Sequence, residues 1–186
     1  TIAKELEKEG YNVIQSYTTR KPRCKDEWGH TFITNALILH KPEYKGIQNI
    51  VWGEGKETKT SSNIIGFQKL YNEIYFAIKE QYQNKGTSVY TVDPKGAKQV
   101  KKNVKDAEVI TIFLTCDEQI RKERLIKRIQ EGSYKTAQTV ITEVRKRISR
   151  DREIFKTCKC DYVVDANREL KEVVEDIKEI IEEREN

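Results

Sequence analysis

An α/β fold built on a parallel sheet with helices on both faces is the architecture this sequence predicts. Three observations predict it. The stretch Glu108 to Thr115 (EVITIFLT) is an almost uninterrupted apolar run, the pattern of a parallel strand buried on both faces. Thr87 to Val92 (TSVYTV) is a second β-branched strand, and Pro94 just beyond it opens a helix through about Lys102. Long charged helical segments then alternate with one more strand up to the end of the chain.

The elements follow in order. Ile2 to Glu9 places Ile2, Ala3 and Leu6 on one side and meets a glycine stop at Gly10, so a helix is predicted. Tyr11 to Ser16 reads as a strand, Tyr17 to Arg23 as a basic turn, and Thr31 to Thr34 as a short strand after Gly29. Lys41 to Ser62, with Gly46, Gly53 and Gly55, follows neither periodicity and receives no assignment. Ile78 to Gln83 reads as helical. After the strand at Glu108 to Thr115, a helix is expected from Asp117 to about Gln130, then a break at Gly132 and Ser133. A helix from Thr136 to about Lys156, a strand at Tyr162 to Val164 and a helix from Arg168 onward complete the chain. Ligands of such sheets sit beyond the carboxyl ends of the strands.

At 186 residues the chain has room for one α/β domain with a proper core, and it is read as a single domain over 1–186. Hydrophobic residues make up 37% and charged residues 35%, which describes a polar globule, and no apolar stretch reaches the length of a membrane span. The opening TIAKELEKEG is charged and amphipathic, so export is not expected and a cytoplasmic location is. The net charge of +5 suits an anionic ligand, but Lys and Arg alternate with Asp and Glu, as on solvated helix faces rather than a nucleic-acid stripe. Four cysteines, Cys24, Cys116, Cys158 and Cys160, lack the second pair or histidine cluster of a zinc site, so reduced thiols and no metal site are expected. The sequence begins with Thr1 and contains no methionine.

The chemistry concentrates in Ser16-Tyr-Thr-Thr-Arg20-Lys-Pro-Arg23. Two arginines separated by a proline make a stiffened pair of forks, and guanidinium groups grip phosphate oxygens bidentately where lysine is only a point charge. Proline pre-sets the turn and lowers the entropy lost in placing the second fork. Hydroxyls of Ser16, Thr18 and Thr19 add donors. By charge pattern alone the same stretch also reads as an ordinary basic loop.

SYTTRKPR, followed by Gly29 and Phe32, resembles the monophosphate-binding region of guanylate kinases, a branch of the P-loop nucleoside monophosphate kinases. VYTVDPKGAKQVKK resembles the strand and helix that carry the family's D-x-x-G element, and RKERLIKR its lid helix. RISRDREIF and DYVVDAN are similar to the closing helix, strand and asparagine, so the resemblance covers most of the chain outside 41–70. It implies a three-layer P-loop kinase-type parallel sheet, a monophosphate-binding region over about 16–80 and a lid with flanking arginines over about 124–147. It implies that Ser16, Arg20, Arg23 and Tyr75 hold the acceptor phosphate, and that Asp93 approaches the base or a metal-bound water. Arg124, Arg128 and Arg147 would reach the transferring phosphoryl group, although Arg124 and Arg128 also suit an exposed helix face. The implied activity is ATP-dependent, Mg²⁺-assisted phosphorylation of GMP, dGMP or a related nucleotide.

The sequence also departs from the family pattern. No G-x-x-x-x-G-K-[ST] loop occurs in the 186 residues, whereas TIAKEL looks like the helix that follows one, so the resemblance places the loop before Thr1. The first phosphate-binding tyrosine has no match: a gapless count puts Phe32 there, and alignment of the Y-x-F pattern puts His30 there. Ala77 stands for a serine and Gly66 for the glutamate that reads guanine, which leaves selectivity for GMP open, and Thr91 stands for a second acid. Two other readings stay beside the kinase: an inactive guanylate kinase-like module that binds a phosphorylated or acidic partner, and a basic nucleic-acid binder resting on Lys98, Lys101 and Lys102.

Overall fold

The computed structural model describes residues 1–39, 49–54, 57–70, 72–132, 136–156 and 158–185. Chain contacts divide it into two compact units, Thr1 with Ala3–Val109 and Ile2 with Ile110–Asn186.

In the first unit, helix α1 (Ile2–Lys8) buries Ala3 and Leu6 and ends before Gly10, whose φ of 95° suits glycine. Strand β1 (Asn12–Val13) is followed by β2 (Ser16–Thr18), so the strand expected over Tyr11 to Ser16 is divided between two sheets. Next come β3 (His30–Phe32), β4 (Ala36–Leu39), β5 (Asn49–Glu54), β6 (Glu57–Ser61), β7 (Ile64–Leu70) and β8 (Glu73–Ile78). A single 3₁₀ turn (Lys79–Gln81) stands where a helix was expected, ahead of β9 (Ser88–Val89) and helix α2 (Pro94–Asn103). Strand β1 pairs in parallel with β9, while β3-β2-β8-β7 form a mixed four-stranded sheet and β4-β5-β6 an antiparallel one. The unassigned stretch therefore contains regular structure at 49–54 and 57–61, whereas residues 41–48 lie outside the described part.

The second unit opens with β10 (Ile112–Thr115) and contains α3 (Glu118–Gly132), α4 (Ala137–Phe155), β11 (Tyr162–Asp165) and α5 (Leu170–Glu185). Strands β10 and β11 pair in parallel, Ile112 opposite Tyr162 and Thr115 opposite Asp165. The apolar run is not buried on both faces as expected, since Leu114 is 39% exposed, and on the paired strand β11 Val163 is 61% exposed.

The molecule is thus mixed α/β, with its described strands in four small sheets rather than in one continuous parallel sheet. Among the described residues no helix is long and apolar enough to cross a membrane.

Among the described residues, two packed clusters hold the first unit. Ile33, Ile50, Trp52, Phe76 and Ile78 form one, with Tyr17 stacked on Phe76 at 5.0 Å. Ile14, Ile65, Ala77 and Val104 form the other, joined by Tyr90 and Val100. In the second unit Leu125 of α3 packs with Val140, Val144 and Ile148, which recur at helical spacing along α4.

Candidate functional site

Successive side chains of a strand point to opposite faces. With Tyr17 committed to the aromatic cluster, Ser16 and Thr18 turn to the other face of β2. Thr18 is fully buried, and its Oγ1 accepts the Arg20 backbone N–H at 3.1 Å, which bends the chain out of the strand. Thr19 pins the same point to the β7–β8 hairpin: its Oγ1 accepts the Ile74 N–H at 2.9 Å and donates to Glu73 Oε2 at 2.6 Å. The turn that carries the two arginines therefore leaves a fixed strand end.

Arg20 places both terminal nitrogens on Glu27, Nη1 at 3.1 Å from Oε2 and Nη2 at 2.9 Å from Oε1. Its plane lies over the Phe32 ring at 5.3 Å, and its buried Nε has no partner among the described residues. Glu27 Oε2 also accepts the Arg23 backbone N–H at 2.6 Å, and Arg23 Nη1 lies 3.5 Å from Oε1. The carboxylate is thus clasped by both arginines. Burial alone would raise the Glu27 pKa, but the hydrogen bonds from Arg20 and Arg23 outweigh it and hold the group below the usual range. Burial likewise works against the Arg20 charge, and Glu27, with Tyr75 adding to it, keeps that charge in place.

Beside this turn lies a cavity of about 180 Å³ lined by Ser16, His30, Gly66, Phe67, Gln68, Tyr75, Tyr90, Thr91, Val92, Asp93 and Gly96. Ser16 Oγ and the Tyr90 hydroxyl share a hydrogen bond of 2.7 Å. Burial pushes the Tyr90 pKa up, so it stays a neutral hydroxyl. His30 enters from β3, which Gly29 starts with a φ of 100°. Its ring meets the edge of Tyr75 at 5.7 Å, and its buried Nδ1 finds no partner among the described residues. Burial first, and then the Arg20 charge, lower the His30 pKa, so the imidazole is neutral at neutral pH.

Asp93 caps α2, accepting the Gly96 N–H on Oδ1 at 2.7 Å, while Oδ2 accepts the Gln68 amide at 3.1 Å. Gln99 in the same helix accepts the Phe67 N–H at 2.7 Å and so ties α2 to β7.

The three residues Ser16, Tyr75 and Asp93, spread over the sequence, line this one cavity, and Arg20 stands against its Tyr75 wall. Arg23 is 63% exposed and meets the Glu27 carboxylate. Of the two positions weighed for the absent tyrosine, His30 lines the cavity and Phe32 lies under Arg20. Gly66 is on the wall and brings no side chain, whereas Ala77 is fully buried in the core cluster. Sequence reasoning missed Tyr90 and Gln68. Tyr90 lies inside the quoted VYTVD stretch, where alternation places it on one face, and Gln68 belongs to a stretch with no readable period.

The three arginines expected of a lid, Arg124, Arg128 and Arg147, all belong to the second unit. Arg124 Nη1 donates to the Ala166 carbonyl at 2.8 Å and lies 3.7 Å from Cys116 Sγ. Arg147 Nε lies 3.7 Å from Asp151, one turn on in α4, and Arg128 is an exposed residue of α3. Asn167 accepts the Asp117 N–H at 2.8 Å, and so holds the entry to α3 against the end of β11. Among the described residues there is no group of three or more His, Cys, Asp or Glu able to hold a metal ion.

This architecture is a guanylate kinase-like fold. The crystal structure of guanylate kinase from Anaplasma phagocytophilum matches it with a TM-score of 0.59 over 98% of this chain and 80% of that one. The two sequences are 16% identical, so the likeness is one of fold. No protein-family model matches the sequence, and no curated protein does either.

Proposed function

We propose that this protein is a nucleoside monophosphate kinase that transfers the terminal phosphoryl group of ATP to GMP, dGMP or a related nucleotide. The observation that carries the reading is the convergence of Ser16, Tyr75 and Asp93 on one cavity, beside a turn whose two arginines already clasp a carboxylate. A bidentate arginine that donates to the two oxygens of Glu27 has the geometry to donate to two oxygens of a phosphate. The buried Nε of Arg20 has a donor still unused.

Phosphoryl transfer asks the protein mainly for in-line positioning and neutralised charge. Ser16, Tyr75 and Arg20 would hold the acceptor phosphate on the cavity wall. Arg23, exposed and joined to Glu27, would swing onto it. Arg124, Arg128 and Arg147 are assigned to the transferring group and to the exclusion of water. ATP supplies the phosphoryl group and Mg²⁺ would neutralise its oxygens when bound. Both oxygens of Asp93 already accept hydrogen bonds, so the described residues make no metal cage of their own and the metal belongs with the nucleotide.

Base selectivity is written differently here. Gly66 offers no carboxylate, and the polar side chain next to it on the cavity wall is Gln68, whose amide is held by Asp93. An amide and a carboxylate present different donor patterns, so a strict preference for guanine is not part of the proposal. That same substitution favours a second reading, an inactive module that uses the arginine turn to bind a phosphorylated or acidic partner.

The test is an ADP-release assay on protein made from its natural start codon, with ATP, Mg²⁺ and a panel of ribo- and deoxynucleoside monophosphates. Turnover with one or a few of them is expected. Binding of a monophosphate or phosphopeptide with no turnover on any would replace the kinase with the binding module.

A further inference from the structure

The anion site has too little positive charge for the ligand assigned to it. Glu27 is within hydrogen-bond reach of Arg20 and also faces Arg23, so it cancels one of their two charges. A single net positive charge then faces a phosphate monoester that carries between one and two negative charges near neutral pH. His30 stands where another charge is wanted: it lines the cavity, it packs against Tyr75, and its Nδ1 is buried without a partner among the described residues.

We propose that His30 takes up a proton when a phosphate monoester enters the cavity, so that the acceptor binds more tightly as pH falls. The proposal rests on the acceptor-site reading above and adds to it a linkage that tyrosine at this place would not give. The proton comes from solvent, it ends on an imidazole nitrogen, and no covalent bond forms. The groups that face His30 are Ser16 on β2, Arg20, Arg23 and Glu27 from the arginine turn and the loop after it, and Tyr75 on β8. Tyr90 and Asp93 share the cavity wall. Before ligand arrives, burial and Arg20 keep the imidazole neutral against the opposing pull of Glu27 and the Ser16 carbonyl. A bound dianion reverses that balance, because an opposite charge within hydrogen-bond reach favours the charged form. The sign follows: with the free-state pKa low and the bound-state pKa high, affinity is greatest below the first and declines as pH rises through the second.

The measurement is calorimetric binding of GMP and of inorganic phosphate to the whole protein, between about pH 8 and about pH 6, across the range in which histidine titrates. It is repeated on His30→Tyr and His30→Gln, the second variant covering a failure of the larger ring to fit. The ligand's own second ionisation near pH 6 acts alike on every protein, so the ratio of wild-type to variant affinity isolates His30. That ratio is expected to rise about tenfold over the interval, the change that one unit of pKa shift gives. The His30 imidazole resonance, assigned through His30→Gln, should titrate at higher pH with phosphate bound. Equal pH slopes in wild type and variants, or an unmoved resonance, would overturn the proposal while leaving the acceptor site intact. Binding of neither probe would overturn both, whereas binding without turnover overturns the kinase alone.

Discussion

Arg20 is the residue on which the proposed site depends, and its environment separates it from a lysine. Two N–H groups reach one carboxylate, the plane covers Phe32, and Nε remains for a further acceptor. Arg20→Lys keeps the charge and loses the fork, so monophosphate affinity should fall by about 2 kcal/mol, about thirtyfold, in a calorimetric titration. An affinity within twofold of wild type would mean that the fork does not touch the ligand. Glu27 carries a stability prediction. Its folded pKa is depressed, so its contribution is present above the ordinary glutamate range and is lost as pH falls through the folded value. Glu27→Gln should therefore lower the melting temperature near neutral pH, and the gap to wild type should close well below the carboxylate range. The arginine pair was legible in the sequence because T-T-R-x-P-R names both its forks and its stiffener. Glu27 was not, since one acid among 30 Asp and Glu carries no signal until the fold sets it against Arg20.

Among the elements, α2 joins stability to the site through its cap. Asp93→Ala removes the acceptor of the Gly96 N–H and should cost about 1 kcal/mol, a fall of about 2–4 °C in melting temperature for a chain of this size. Asp93→Asn caps nearly as well, so it should melt close to wild type, and any loss of turnover in it reports the carboxylate charge rather than the helix. A melting temperature for Asp93→Asn as low as that of Asp93→Ala would show that the cap is not the structural role. In the second unit, Arg152 of α4 and Lys122 of α3 hold the Glu118 carboxylate, which is pushed down to about 2. Arg152→Ala should return the Glu118 carboxyl resonance toward the ordinary value of 4.5, read by NMR titration, and an unchanged midpoint would assign the shift to Lys122 alone.

Helices were the legible elements. Pro94 after Asp93 marked the start of α2, and the helix expected from Thr136 to about Lys156 is α4, which buries Val140, Val144 and Ile148. Strands that resisted reading did so for physical reasons. In β6 four of five side chains are exposed, so Glu57–Ser61 lacks the alternation that a half-buried strand would show. Strand β8 buries Phe76, Ala77 and Ile78 in succession, which blurs its period, so it received no strand assignment and its last residue, Ile78, fell in the stretch read as helical.

For the whole molecule, two units of unequal chemistry share one chain. The first holds the cavity and the arginine turn, the second holds Arg124, Arg128 and Arg147, and each has a packed cluster of its own. The fold class was legible from alternating strands and helices, and the guanylate kinase-like fold agrees with it. One continuous parallel sheet was expected, and the described strands form four smaller ones, because periodicity reports that a segment is a strand and not which strand it pairs with. The site was legible as a set of residue types and not as a cavity, since the sides of strands that Gln68, Tyr90 and His30 present depend on register.

The claim that matters most is that this cavity and its arginine turn form an acceptor-phosphate site. Titration of a ¹⁵N-labelled sample with a nucleoside monophosphate, followed by NMR and repeated on Arg20→Ala, tests it most directly. Saturable shifts at Ser16, His30, Tyr75 and Tyr90, abolished in Arg20→Ala, are the predicted result. Shifts elsewhere in the chain, or shifts at those residues that survive the loss of Arg20, would contradict it.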